Sequence, residues 1–173
     1  MTFHHLTPRD WAKTLAIGLG VAILTAVVMQ GLALAGISPL PKPLGLAFAQ
    51  SLLGEVPLPV GLLFHTVWVM AWAAVYVVLF RDGLTFGRAL LLATALWLFA
   101  IMVFFPLVGW GFLGLAITPK LILAAAGAHL LFAILLWAGA KSVFQDRAST
   151  VTSSRQQERR GGDANVTSGR HRS

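Results

Sequence analysis

LILAAAGAHLLFAILLWAGA, residues 121–140, is 20 residues long, carries no formal charge and is closed by Lys120 on one side and Lys141 on the other. A helix rises about 1.5 Å per residue, so a run of this length crosses about 30 Å of hydrocarbon. Its one titratable side chain, His129, stands near the middle. An ionisable residue at that depth is costly, and it marks either a functional site or a hydrogen bond between helices. The stretch therefore raises the question of the fold and the question of function together.

The remainder of the chain makes the membrane reading general. Of 173 residues, 57% are hydrophobic and only 11% charged, with a mean hydropathy of +0.79. A soluble domain is typically about 25% charged, so a bilayer must act as solvent for much of this apolar surface. There are no cysteines. That excludes disulfides, thiolate metal sites, cysteine nucleophiles and cysteine-held clusters.

Taken in order, the chain opens on a polar lead, Met1 to Lys13, in which Thr7 can cap a helix with Pro8 at its first position. The first span is expected over 14–37. A cleaved signal peptide ending at Ala33-Leu34-Ala35 is the rival reading, but the apolar run exceeds the roughly 7–15 residues of such a segment. A connector punctuated by Pro39, Pro41, Pro43, Pro57 and Pro59 follows. Within it, Leu44 to Leu53 can form a short interfacial or re-entrant helix. Glu55, the only carboxylate of that connector, is a loop residue or an acceptor at the mouth of the bundle. The second span covers 60–80 and contains His65. Trp68, Trp72 and Tyr76 recur at helical spacing on one face, as packing residues or as an aromatic wall for a bound group. The third span covers 89–110 and is stopped by Pro106 and a glycine-aromatic turn holding Gly109, Gly111 and Gly114. Thr118-Pro119 then starts the fourth span, 120–140. Small residues four apart, Gly31 with Ala35 and Ala124 with Ala128, are expected to allow close helix approach.

From Lys141 onward the sequence turns polar, with seven basic residues against three acidic ones. Such a segment cannot bury enough surface to offset its ordering entropy, and disorder is expected over 141–173. It lacks the aromatic interleaving of a nucleic-acid surface. With the N-terminus inside, Arg9, Lys13, Arg81, Arg88 and the tail place 11 basic residues on the cytoplasmic side, against Lys42 and Lys120 on the other. The expectation is a multi-pass protein of a bacterial cytoplasmic membrane, both termini inside.

His65 is 16 positions before Arg81, and His129 is 12 before Lys141. These spacings correspond to about 24 and 18 Å from the cytoplasmic ends. His65-Thr66-Val67-Trp68 corresponds to His129-Leu130-Leu131-Phe132, a histidine followed three later by an aromatic, as in two repeated helical hairpins. Two neutral imidazoles can bond across helices, relay protons, meet a solute or ligate haem b. A dedicated metal site is not expected, because further ligands are scarce.

With Thr25 and Met29 in the first span, His65 with Trp68, Pro106 with Gly109, Gly111 and Gly114, and His129 with Phe132, the chain resembles small four-helix bacterial membrane proteins of unknown function. The resemblance covers about 14–140 and implies a four-span fold. It departs from the expected Tyr-Gly after each histidine, with Trp68-Val69 and Phe132-Ala133 instead. It carries no established activity.

The fold class expected is thus all-α, a transmembrane four-helix bundle with a disordered tail. No catalytic constellation emerges: no carboxylate pair lies in the membrane and no nucleophile elbow or dinucleotide fingerprint is present. The first functional expectation is non-enzymatic, a structural or accessory protein that binds a second copy or another membrane protein through its helices within the lipid bilayer. The alternative is a small redox (haem b) or proton/small-solute transport module centred on His65 and His129.

Overall fold

The computed structural model describes residues 7–169, with side chains described over 7–144. His4 and His5 lie outside the described residues. The described residues are helical and contain no strand. Four helices are long and apolar enough to cross a membrane: α1 (Pro8–Leu34), α3 (Leu58–Phe80), α4 (Phe86–Leu107) and α5, whose spanning part is Lys120–Phe144. Between α1 and α3 lies the short apolar helix α2 (Leu44–Leu53).

Local chemistry sets the ends. Thr7 caps α1, its hydroxyl accepting from the Asp10 N–H at 3.2 Å. The Asp10 carboxylate accepts in return from the Thr7 N–H at 3.3 Å, the reciprocal arrangement that satisfies two orphan donors. Pro8 occupies the first turn, where its missing N–H costs nothing. The third span starts earlier than expected, at Phe86, because the Thr85 side chain caps it by accepting from the Arg88 N–H. Gly109, Gly111 and Gly114 all have φ near +80°, a region that residues with a Cβ avoid.

α1 runs antiparallel to α3. Three contacts spread along their length hold the pair: Arg81 Nη2 donates to Asp10 Oδ2 at 2.9 Å, Gly18 lies against Met70, and Thr25 meets His65. α5 lies antiparallel to α4. Trp97 Nε1 donates to the Ile122 carbonyl at 3.1 Å, and the rings of Phe86 and Trp137 meet edge-on at 5.7 Å. Towards the start of α1 and the end of α3, Gly139 of α5 packs on Ile17 of α1.

α2 is drawn into the connector side of the bundle. Gly45 and Gly61 let its backbone touch α3; a Cβ on Gly61 would lie 2.5 Å from the Leu46 Cα. Ala47 joins Ile101, Phe105, Trp110, Leu121 and Ala125 in one apolar cluster. The small-residue pair expected to pack at Gly31 and Ala35 does not: both are exposed, and a Cβ on Gly31 would meet open space.

α4 is not a uniform α-helix. Ala100–Phe104 is a π turn, in which the Phe105 N–H reaches the Ala100 carbonyl. A π turn is often associated with functional sites. Here it brings Phe99 and Phe104, five apart in sequence, to a ring distance of 5.3 Å. Uniform α-helical winding at 3.6 residues per turn would hold them on different faces.

Large apolar side chains cover the outside, Leu123 at 76% exposed and Val27 and Leu91 at 65%. In water such a surface would drive aggregation; among lipid tails it is solvated. The chain divides into two units, 1–140 and 141–173. In the second, where composition leads to an expectation of disorder, the backbone is helical as far as Gly169.

Candidate functional site

The site lies in the first unit, in the half of the bundle nearer the α1–α2 and α4–α5 connections. α1 and α5 meet at Ile17 and Gly139. Between Met29 and Ala33 of α1 and Ala124 and Ala128 of α5 is a cavity of about 310 Å³. That is the low end of the range that accepts small organic ligands. A second cavity of about 100 Å³ lies towards α2 and α4, lined by Phe48, Phe64, Ala100 and Phe104 among others. His65 and His129 line both cavities. The two residues singled out in the sequence therefore come to one place, from α3 and from α5.

Each imidazole is held differently. His65 Nε2 lies 3.2 Å from Thr25 Oγ1 and 3.3 Å from the Ala22 carbonyl oxygen. A carbonyl only accepts, so the partner assigns the proton of the neutral ring to Nε2. The Thr25 hydroxyl spends its own proton on the Val21 carbonyl at 2.8 Å, which leaves its oxygen to accept. His129 Nδ1 lies 2.8 Å from the carbonyl oxygen of Ala125, one turn back on its own helix. By the same logic Nδ1 carries the proton. The remaining nitrogens, His65 Nδ1 and His129 Nε2, make no hydrogen bond among the described residues. Each is a bare acceptor, and the bond at the opposite ring atom fixes its tautomer.

The walls are aromatic and small. Trp68 and Trp72 both line the larger cavity, their rings edge-on at 5.6 Å. Phe132 and Met29 complete the apolar surface there. On the smaller cavity's side, Trp68 meets the π-turn residue Phe104 edge-on at 5.3 Å, and Phe104 meets Phe48 of α2 at 4.7 Å. Tyr76 does not take part. It is fully buried near the end of α3, and its hydroxyl donates to the Thr85 carbonyl at 3.1 Å. The rim on the connector side is polar: Gln30, Ser38 and Lys42 border the opening. Lys42 Nζ donates to Gln50 Oε1 at 2.7 Å, and Gln50 in turn donates to the Val56 carbonyl.

Among the sequence candidates, His65, His129, Trp68 and Phe132 thus converge. Glu55 does not; it is exposed in the α2–α3 connection and borders neither cavity. Pro106, Gly109, Gly111 and Gly114 also lie off the cavities. They shape the turn that seats Trp110, and Gly114 lets Leu121 and Phe105 close over it. The participants that sequence reading passed over are the connector residues of the rim and the π turn. Thr25 stood in the sequence as one of the residues that carry the resemblance, without its partner 40 positions away.

The described residues contain no group of three or more His, Asp or Glu able to hold a metal. No family model matches the chain, and neither a curated protein nor a solved structure matches it.

Proposed function

We propose that this protein is a membrane-embedded binding module for a small lipophilic molecule, a reading that keeps the two histidines of the redox or transport alternative at its centre but assigns them binding in place of transport. One observation supports it above the others. Two histidines distant in sequence share one cavity, and each keeps a ring nitrogen unengaged while its other nitrogen is tied down. Histidines that served packing alone would use their cross-helix bonds to fill space, not to border a void of about 310 Å³. The accessory-protein reading draws on the exposed apolar faces, but any bilayer span carries those, so they favour no partner. Haem b gains less support. Bis-histidine ligation would have to use His65 Nδ1, because Nε2 is engaged with Thr25 and Ala22.

The test is to purify the protein in mild detergent, extract it with organic solvent and analyse the extract by mass spectrometry. Ala128→Trp, which fills the cavity from α5, serves as comparison. A lipophilic species enriched with the wild type and lost in Ala128→Trp is the expected result. Identical extracts from the two proteins would overturn the reading. Optical spectra of the same preparation, oxidised and reduced, test haem directly; a Soret band abolished by His129→Ala would put haem in its place.

A further inference from the structure

The charge bordering the larger cavity is of one sign. Lys42 is the one permanently charged side chain in its lining; His65 and His129 can only gain positive charge, and no Asp or Glu takes part. Gln30, Ser38, Trp68 and Trp72 add neutral N–H and O–H donors to the same lining. Lys42 Nζ has a neutral partner, Gln50 Oε1 at 2.7 Å, and no carboxylate among the described residues neutralises its charge. An ammonium carries three donors, so two are left for other acceptors. A cationic guest would meet like charge here, and a neutral one would leave the lysine without a counter-charge. An anion is the complementary guest.

The cavity's dimensions describe the rest of that guest. Along α3 its lining runs from Gly61 inwards to Trp72, eleven positions or about 16 Å of helix. The ammonium belongs to the Gly61 end. Gln50, which holds it, donates onward to the Val56 carbonyl at 3.2 Å, two residues before α3 begins. Gly45, three residues after Lys42, packs on Gly61; a Cβ there would lie 2.5 Å from the Gly61 carbonyl oxygen. From that end to Trp72 the walls are apolar side chains such as Leu62, Met29, Ala128 and Phe132, interrupted by the histidines and Thr25. About 310 Å³ drawn out over such a length suits one slender chain, whose burial against these walls supplies the hydrophobic stabilisation. Resting on the binding reading above, we infer that the cavity takes a single-chain lipophilic acid, an alkyl carboxylate or phosphate, with its anionic head beside Lys42 and its chain running along α3 towards Trp72.

The experiment uses the full chain in digitonin, a detergent without an alkyl chain to compete for the cavity. Tritiated laurate is bound to the immobilised protein and displaced by probes that share its chain and differ in the head: laurate, lauryl phosphate, lauryl alcohol and laurylamine. Specific binding is the part lost in Ala128→Trp. Excess unlabelled laurate defines the same blank a second way, so a fault in the folding of that variant leaves the test intact. Laurate should bind at least about tenfold more tightly than the alcohol, the effect of a charge-assisted hydrogen bond, and the amine should displace least. Displacement by lauryl phosphate as well supports an acid head in general; displacement by laurate alone supports a carboxylate. Lys42 is exposed, so Lys42→Gln should keep the melting temperature and bring laurate down to the affinity of the alcohol. Equal affinity of laurate and the alcohol in the wild type, tighter binding of the amine, or undiminished laurate binding in Lys42→Gln overturns the acid assignment and leaves the binding module standing. Absence of specific laurate binding overturns the assignment too, and the extraction experiment then decides the binding reading separately.

Discussion

At the residue scale, the question is which polar groups hold the bundle and which are available for chemistry. Asp10 does two jobs at one end of α1: it completes the cap with Thr7 and pairs with Arg81. Arg81 is 31% exposed, and a half-solvated ion pair contributes little. The cap should dominate. Asp10→Ala is expected to cost about 1 kcal/mol, and Arg81→Ala clearly less, as read from thermal denaturation in detergent; equal losses would mean that the ion pair is the main tie. Thr25 tests His65 in the same way. Thr25→Val keeps the shape and removes the oxygen that accepts from Nε2. Cross-helix bonds of this kind within a bilayer average about 0.6 kcal/mol, and the Ala22 carbonyl remains to share the load. The variant should fold with only a slightly lowered melting temperature and retain its cavity ligand. A loss of several kcal/mol would make His65 a structural strut. Reading the sequence brought out both histidines because an imidazole among 20 apolar residues stands out. It could not show their partners. Thr25 looks the same whether its hydroxyl serves only the carbonyl one turn back or also a histidine 40 positions on.

At the element scale, glycine separates two cases that composition does not distinguish. Gly18 and Gly20 are two apart on α1. A Cβ on Gly18 would lie 2.8 Å from the Met70 Cα, whereas Gly20 has nothing within 4 Å. Gly20→Ala should therefore be neutral or stabilising by up to about 1 kcal/mol through helix propensity. Gly18→Ala should force α1 from α3 and cost about 1–3 kcal/mol. Paired melting curves check this, and the same sign for both variants would refute the packing described for α1 and α3. The close approaches used in the bundle, at Gly18, Gly45 and Gly61, were not the small-residue pairs that spacing brought forward. In a chain with 17 glycines, spacing alone does not say which ones face a neighbour. The helix α2 was legible as an element, because prolines bracket its apolar run. Its burial was not, since that depends on Gly61 lying opposite Gly45. The π turn at Ala100–Phe104 left no signal either. Its residues are ordinary span residues, and the extra residue in the turn becomes visible only when Phe99 and Phe104 come together.

At the scale of the whole molecule, four apolar runs separated by short polar breaks leave little choice of fold, because a bilayer requires every backbone group to be bonded within its own helix. The fold was legible for that reason, and the cavity was not, because its lining is assembled from α1, the connector, α3, α4 and α5, and no local pattern shows which side chains of distant helices meet. Orientation across the membrane is a property of the same scale, set by where the charge lies. In the topology expected from the sequence, Arg9, Lys13, Arg81, Arg88 and the tail's seven basic residues share one side, and Lys42 and Lys120 the other. The pairing of Asp10 with Arg81 puts the start of α1 and the end of α3 on the same face, as the alternation of four spans requires. From the positive-inside rule that face is expected in the cytoplasm, and labelling tests the expectation. The chain lacks cysteine, so single cysteines report position without background. Ile37, 68% exposed in the α1–α2 connection, is one site; Ser153 in the tail is the other. In intact cells a membrane-impermeant maleimide should label Ile37→Cys and leave Ser153→Cys unmodified until the cells are lysed. The reverse pattern would invert the topology and put the polar rim of the cavity, with Lys42, on the cytoplasmic side. Its ligand would then reach that rim from the cell interior and not from outside.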